Sequence, residues 1–333
     1  MRRDEVETVA WGTPLGSVPP KFVDSPAARW PAIALWTPSY IAEKVPEFKR
    51  VTTVGSDGLW RPMKSSEFFA RMNATIDYAH GWVGDFQALS DDAPTSWMMR
   101  SNRSRHQVWL GRAGTLAHYD HSKNLIAQIR GRKQFLLASP DNWDTFGDEP
   151  RLSPRVGFAR RGRFESKIET VLGPGEVLYI PPFWWHQTRA LGMSASLNVF
   201  TPSESGDFPR LLDVSLPAAC HHGDIAATIR TLVETVVKDV PVEAFLRRLL
   251  RNRYDGGEYD CPPAPTTTTI CAAARGGQVE DLHKVHRIAD ALLSWWGPKE
   301  RDLVLADYVE ELANYAAPRR ACDLLRCLAT NQS

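Results

Sequence analysis

Between about residue 105 and residue 200 the chain alternates short apolar runs with turn-forming residues, and this pattern limits the possible folds more than any other feature. Gln107-Val-Trp-Leu110 is followed by Gly111-Arg-Ala-Gly114. Leu125-Ile-Ala-Gln-Ile129 and Gln134-Phe-Leu-Leu-Ala138 flank Arg130-Gly-Arg-Lys133, which reads as a hairpin-like turn. Thr170-Val-Leu172 and Val177-Leu-Tyr-Ile180 flank a second turn, Gly173-Pro-Gly-Glu176, and Ala195-Ser-Leu-Asn-Val-Phe200 is a last strand. Short strands separated by regular turns indicate a sandwich or barrel, and a jelly roll fits.

The flanking segments read differently. Residues 1–60 are Pro-rich and irregular, except that Trp30-Pro-Ala-Ile-Ala-Leu-Trp36 reads as a strand or strand-turn entering the core. Ser65-Ser-Glu-Phe-Phe-Ala-Arg-Met72 reads as a short helix with Ser at its cap and Phe68, Phe69 and Met72 on one side. After about residue 220 the apolar period becomes helical. Ile225, Ile229, Leu232, Val233 and Val236 share one face, and Phe245, Leu246, Leu249 and Leu250 form a second stripe beyond Pro241. Asp255 through Thr269 reads as a loop, and helices resume around 278–295, 300–315 and 318–328. The expected class is mainly β with α: an N-terminal region over 1–90 packing on the barrel, a double-stranded β-helix (jelly roll) over 91–215, and a helical C-terminal subdomain over 216–333.

Composition narrows the function classes. A net charge of +1 excludes a general polyanion binder. Basic residues outnumber acidic ones from Arg100 to Lys167, with a knot at Arg155, Arg160, Arg161 and Arg163, which reads either as a solvated loop or as a basic lid over an anionic substrate. The five cysteines form no C-x-x-C pair, so neither a disulfide framework nor a zinc ribbon is indicated. Cys220-His221-His222 with Cys261 makes a poor metal set, because adjacent residues rarely converge on one ion. The N-terminus lacks the apolar core of a signal peptide, and no apolar run reaches the roughly 20 residues a membrane span needs. No export signal and reduced thiols together point to the cytoplasm.

The chemistry-bearing string is Gly114-Thr-Leu-Ala-His-Tyr-Asp120. Residues two apart on an extended strand project from the same face, so His118 and Asp120 would present an imidazole and a carboxylate side by side. His-x-Asp alone is a weak signal, and a third ligand must come from elsewhere. His186 follows a strand and the aromatic bend Pro181-Pro-Phe-Trp-Trp185, where antiparallel pairing in a jelly roll can bring it opposite the pair. Two imidazoles and one carboxylate on one face of an octahedron leave three positions open, a geometry suited to non-haem Fe(II) with a cosubstrate and O2.

On these strings, together with Asn124-Leu-Ile-Ala-Gln-Ile-Arg-Gly-Arg-Lys133, Gly173-Pro-Gly-Glu-Val-Leu-Tyr-Ile-Pro-Pro-Phe-Trp-Trp-His186 and Asn198-Val-Phe200, the run from Gly114 to Phe200 resembles the JmjC/cupin-like hydroxylases, nearest to the asparaginyl hydroxylase that inhibits the hypoxia-inducible factor. The resemblance implies an iron triad of His118, Asp120 and His186, with Fe(II), 2-oxoglutarate and O2 as the reacting set. It implies that Thr115 and Lys133 hold the distal carboxylate of 2-oxoglutarate, with Asn124 and Asn198 close to metal and cosubstrate. A buried ammonium at Lys133 would need an anion in any case. One departure is expected at Trp82, which reads as standing where relatives carry a tyrosine that also bonds this carboxylate; an indole N–H donates but cannot accept.

The resemblance further implies hydroxylation of an unactivated C–H, with β-hydroxylation of an Asn, Asp or His residue of a peptide or protein as the leading substrate class. A modified tRNA base, a small biosynthetic intermediate, and a non-catalytic binding or scaffold role are the alternatives. The neutral total charge disfavours nucleic acid. The C-terminal stripes and Trp295-Trp296 suggest a homodimer through those helices.

Overall fold

The computed structural model describes residues 4–53, 61–72, 76–98, 102–151, 153, 155–160, 164–166, 168–202, 222–255, 277–279, 282–295, 297–317 and 320–330. Its strands in chain order are β1 (Asp4–Glu5), β2 (Thr8–Val9), β3 (Lys21–Phe22), β4 (Glu47–Thr53), β5 (Arg61–Lys64), β6 (Asp77–Trp82) and β7 (Arg105–Gly111). They continue with β8 (Lys123–Arg130), β9 (Lys133–Ala138), β10 (Ile168–Leu172), β11 (Val177–Ile180), β12 (Trp185–Ala190) and β13 (Ser194–Thr201). Among the described residues they form two sheets, ordered β1-β10-β9-β12 and β2-β3-β11-β8-β13-β7-β6-β4-β5. This is the jelly roll expected from the turn spacing, with the chain passing repeatedly between the sheets.

That passage corrects one reading. Arg130–Lys133 is not a hairpin, because β8 and β9 lie in different sheets. The turn carries the chain round a corner, with Gly131 at φ +67 in the left-handed region. A Cβ there would lie 2.0 Å from the Met193 carbonyl oxygen, so no other residue fits without moving the backbone. Gly173–Glu176 makes the equivalent crossing from β10 to β11.

Strand alternation splits the apolar residues of the large sheet between two layers. One face carries Val108, Leu110, Leu125, Ala127, Ile129, Leu197 and Val199, covered by Trp30, Trp36, Ile41 and Phe68. The other carries Ile126, Leu178 and Ile180, which pack on Phe135 and Leu137 of the small sheet. Burying each such Leu or Phe contributes about 1.5–3 kcal/mol. Between these apolar patches the inner face also carries polar side chains, and they build the site described below.

The covering layer departs from expectation in two places. Trp30–Trp36 is not a strand: a 3-10 turn, Pro26–Arg29, leads into the short helix α1 (Ala32–Leu35). Pro31 has no N–H to pair with a sheet and sits at helical dihedrals, φ −50 and ψ −34. Both tryptophans are buried, so the apolar pattern reflects packing rather than pairing. The helix at Ser65–Arg71 (α3, after α2 at Pro38–Lys44) forms as expected, but Lys64 occupies the cap. The Ser65 hydroxyl donates to the Val45 carbonyl instead.

The chain divides into two compact units, Met1–Ala138 with Ser166–Ser203, and Ser139–Glu165 with Glu204–Ser333. This division differs from boundaries at 90 and 215: β4, β5 and β6 extend the large sheet itself, and the stretch between β9 and β10 falls in the second unit. That unit holds α4 (Trp143–Phe146), α5 (His222–Val236), α6 (Val242–Arg253), α7 (Leu282–Trp295), α8 (Pro298–Ala316) and α9 (Ala321–Thr330). Ile225, Ile229, Leu232, Val233 and Val236 are all buried, as are Phe245, Leu246 and Leu249. These stripes are consumed within the unit, which removes them as an argument for a homodimer. The Trp295-Trp296 side chains, nearly all of the loop expected over Asp255–Thr269, and Cys220, His221, Cys261 and Cys271 lie outside what is described.

Cys322 and Cys327 on α9 are both disulfide-bonded, which corrects the reading of reduced thiols and withdraws the thiol argument for a cytoplasmic location. Pairing depends on distance in the folded chain, which irregular spacing along the sequence does not reveal. No helix of the described residues is long and apolar enough to cross a membrane.

Candidate metal centre

His118 and Asp120 do not sit on a regular strand. They lie in the irregular stretch between β7 and β8, where His118 forms an isolated antiparallel bridge with His186, the second residue of β12. The His118 N–H donates to the His186 carbonyl at 3.0 Å, and the His186 N–H donates back at 2.8 Å. Two positions on, the Asp120 carbonyl accepts from the Phe183 N–H at 2.8 Å. The pairing thus restores the strand-like geometry that local secondary structure lacks. One ligand atom from each of His118, Asp120 and His186 lies within 4.8 Å of the others. The two imidazole centroids are 4.2 Å apart, and His186 Nε2 is 3.5 Å from Asp120 Oδ2.

The backbone selects the imidazole tautomers. His118 Nδ1 is 2.8 Å from the Leu116 carbonyl, and His186 Nδ1 is 2.9 Å from the Trp184 carbonyl. A carbonyl only accepts, so each Nδ1 carries the proton and each Nε2 keeps its lone pair for a metal. Burial, reinforced by neighbouring His118, pushes His186 down to about 4, which keeps it neutral at physiological pH.

An amide chain runs outward from Asp120. Asn124 Nδ2 donates to Asp120 Oδ2 at 3.5 Å, and Asn198 Nδ2 donates to Asn124 Oδ1 at 3.3 Å. A carboxylate can only accept, so it orients both amides in turn. The chain ends on Asn198 Oδ1, which is buried with no hydrogen-bond partner among the described residues.

Lys133, first residue of β9, is buried between the sheets. Its ammonium donates to Ser196 Oγ at 2.6 Å and lies 5.9 Å over the Tyr78 ring. No carboxylate pairs with it among the described residues, and burial pushes it down to about 7. Thr115 Oγ1 is 3.1 Å from Thr188 Oγ1, on the same face of β12 as His186. Gly114 makes this approach possible, since a Cβ there would lie 1.8 Å from the Thr188 carbonyl oxygen.

Two sequence readings are corrected here. The aromatic residue beside Lys133 is Tyr78, not Trp82. Trp82 ends β6 opposite Gln107, with the Arg105 guanidinium 5.8 Å from its ring. Tyr78 lies four residues before Trp82 on the same face of β6, so strand alternation alone does not choose between them, and the position along the strand decides. The basic knot is not a uniform lid either. Arg160 is buried in the helical unit and donates to the Asp255 carbonyl, and Arg155 lies 5.7 Å over the Phe158 ring. Arg161 and Arg163 lie outside the described residues.

Sequence reading missed Tyr78, Thr188 and Ser196. Thr188 and Ser196 are each two residues from a position it picked, His186 and Asn198, and Tyr78 is two such steps from Trp82. The two-residue strand period was therefore the signal that could have found them.

Three curated proteins resemble part of this chain in sequence. The tRNA wybutosine-synthesizing protein 5 of Danio rerio is 36% identical over 106 residues, which are 27% of this chain and 31% of that one. The Jumonji C domain-containing protein 5 of Drosophila melanogaster is 32% identical over 108 residues, covering 28% and 26%. The lysine-specific demethylase 8 of Xenopus tropicalis is 26% identical over 215 residues, covering 54% and 47%. The matches thus span less than half the length of each of these relatives. The family model of the cupin-like domain matches residues 79–205, a stretch that includes all three clustered ligands and Lys133.

Proposed function

We propose that the chain is an Fe(II)- and 2-oxoglutarate-dependent oxygenase that hydroxylates an unactivated C–H. The observation that carries this reading is the placement of His118, Asp120 and His186 around one point, inside the same barrel as a buried lysine with no acid partner among the described residues. The donor set fits ferrous iron: two neutral imidazoles and one carboxylate, with positions left for other ligands. Lys133 fits one end of a dicarboxylate, which would give its ammonium a charge-assisted hydrogen bond.

When bound, iron with 2-oxoglutarate and O2 supplies the oxidising power, and 2-oxoglutarate leaves as succinate and CO2. The chain's residues bind and orient. The Leu116 and Trp184 carbonyls hold the two imidazoles in their metal-binding tautomer. Lys133, Ser196 and Tyr78, with the Thr115 and Thr188 hydroxyls, form the polar end of the barrel where the distal carboxylate would sit. Phe183, Trp184 and Trp185 are buried beside His186 and exclude water.

The unpartnered Asn198 Oδ1 asks for a hydrogen-bond donor from whatever binds there. That supports a substrate group bearing an N–H, such as a side-chain amide, and β-hydroxylation of an Asn-type residue in a peptide or protein is the reading it favours. A second reading, hydroxylation of a modified tRNA base, is favoured by the wybutosine-synthesis name of the Danio rerio relative. Burial of Arg160 weakens the basic surface it would need.

The purified chain supplied with Fe(II), 2-oxoglutarate and O2 should release succinate slowly without any other substrate, and His118→Ala should not. Failure to bind 2-oxoglutarate at all would favour a non-catalytic scaffold. Mass spectrometry of candidate peptides and tRNA fragments, seeking a one-oxygen gain that requires 2-oxoglutarate, separates the two substrate readings.

Lys133 makes cosubstrate affinity depend on pH. With a value near 7, the ammonium is increasingly neutral in the free protein as pH rises. The dissociation constant for 2-oxoglutarate should therefore weaken between pH 7 and 9, and binding in that range should take up a proton, measurable by calorimetry in buffers of different ionisation enthalpy. The folding linkage has the opposite sense. The unfolded lysine holds its proton to about 10.4, so the ligand-free protein gains stability from this group as pH rises above 7. Lys133→Met should weaken 2-oxoglutarate binding about 10- to 100-fold, the range for a charged hydrogen bond, and abolish the proton uptake.

A further inference from the structure

We infer that Phe183 is a positioning residue whose left-handed backbone, rather than its ring, sets the metal-binding carboxylate of Asp120. The inference rests on the metal reading above and adds a residue to it. Phe183 is the one non-glycine residue with positive φ among those described, at φ +62, and it is buried. A bulky side chain resists that conformation, so something in the fold must hold it there.

The local sequence shows what the conformation achieves. Pro181 and Pro182 precede it, and neither has an N–H. Phe183 is therefore the first residue after Ile180 able to donate from its backbone. The turn closes behind it, with the Trp184 N–H directed to the Pro181 carbonyl at 3.4 Å. The left-handed bend between these points aims the Phe183 N–H at the Asp120 carbonyl, 2.8 Å away.

Asp120 needs that contact. The reciprocal His118–His186 bonds fix the first ligand of the pair, but Asp120 lies two residues beyond the bridge and outside any strand. The Phe183 bond is a second rung, which fixes the backbone on which the carboxylate stands. The ring packs over the same segment. It stacks on Tyr119, the residue between the two ligands, with centroids 5.6 Å apart and planes at 28°, and meets His121 edge-on at 5.1 Å. This packing holds the unfavourable backbone in place, while the N–H does the positioning.

Two substitution pairs separate backbone from ring. Asn and Gly accept a left-handed backbone, whereas Leu and Val resist it yet bury more apolar surface. Co(II) can be titrated into the whole 333-residue chain and followed by its visible spectrum, with thermal unfolding recorded on the same samples. Phe183→Leu and Phe183→Val should lose Co(II) affinity tenfold or more, with an altered spectrum. Phe183→Asn and Phe183→Gly should stay within about threefold of the parent despite lower melting temperatures. The order of metal affinity would then run against the order of stability, which a purely structural ring could not produce. Affinity that follows stability, with Gly weakest, overturns the inference. If one variant fails to fold, the other member of its pair still decides. A parent protein that takes up no Co(II) refutes the metal reading itself.

Discussion

His186→Ala is expected to lower ferrous affinity more than about 100-fold and to remove 2-oxoglutarate turnover with it. Partners that merely orient a ligand typically account for 10- to 100-fold in metal affinity, so losing a ligand should exceed that range. The fold should survive the change. The backbone bonds joining residue 186 to His118 at 2.8 and 3.0 Å do not involve the ring, and neither does the β12 pairing with β9. His118→Ala should have the same effect on metal from a more exposed position, and the pair of variants together should be little worse than either alone. Calorimetric titration of iron or Co(II) under anaerobic conditions, beside a succinate assay, reads both effects. Retention of near-parental metal affinity in His186→Ala would place the metal elsewhere.

The largest stability loss should come from the helical unit. Arg253 at the end of α6 is fully buried and faces three acids: Asp148 at 2.9 Å, Asp307 at 3.2 Å, and Glu310. Trp143 Nε1 also donates to Asp148, and the Tyr254 hydroxyl to Glu310. Arg253→Met keeps most of the volume but leaves three buried acids without their central cation. Breaking a buried pair from one side costs about 3–5 kcal/mol, a large share of the ~5–15 kcal/mol that holds a typical protein folded. Denaturant unfolding monitored by helical circular dichroism should show it directly.

The pH dependence of that loss has a fixed sign. Burial raises Asp148 to about 6, although Arg253 pulls it down. A carboxyl raised in the folded state favours folding below its unfolded value and loses that contribution as pH climbs through 6. Removing Arg253 deletes the downward pull, so Asp148 should stay protonated to higher pH. The Arg253→Met loss should therefore be smaller at pH 5 than at pH 8. A loss independent of pH would mean the network is held by packing rather than charge.

Much of the barrel was legible because burial on two faces leaves a local trace. β8 and β13 read as near-continuous apolar runs cut by turn residues, and those runs are strands in the structure. Helical stripes such as Ile225 to Val236 were legible for the same reason. Where local signals competed, reading failed. Trp30–Trp36 looks like a strand by hydrophobicity, but Pro31 makes it a helix start. Arg130–Lys133 looks like a hairpin, but its glycine turns the chain toward the other sheet.

By itself, the sequence determined the residue types and periods: two imidazoles and a carboxylate at usable spacings, a lysine at a strand start, and a barrel followed by helices. These are properties of neighbours along the chain. The tertiary structure alone decided which distant residues meet. It joined His118, which lies outside any regular strand, to His186 on β12, set Tyr78 rather than Trp82 beside Lys133, took Arg160 into the helical unit, and bonded Cys322 and Cys327 in disulfides. Those outcomes depend on strand register and on which buried charges find partners. Both are settled by packing between residues far apart in the chain, as His118 and His186 are, and no local pattern encodes them.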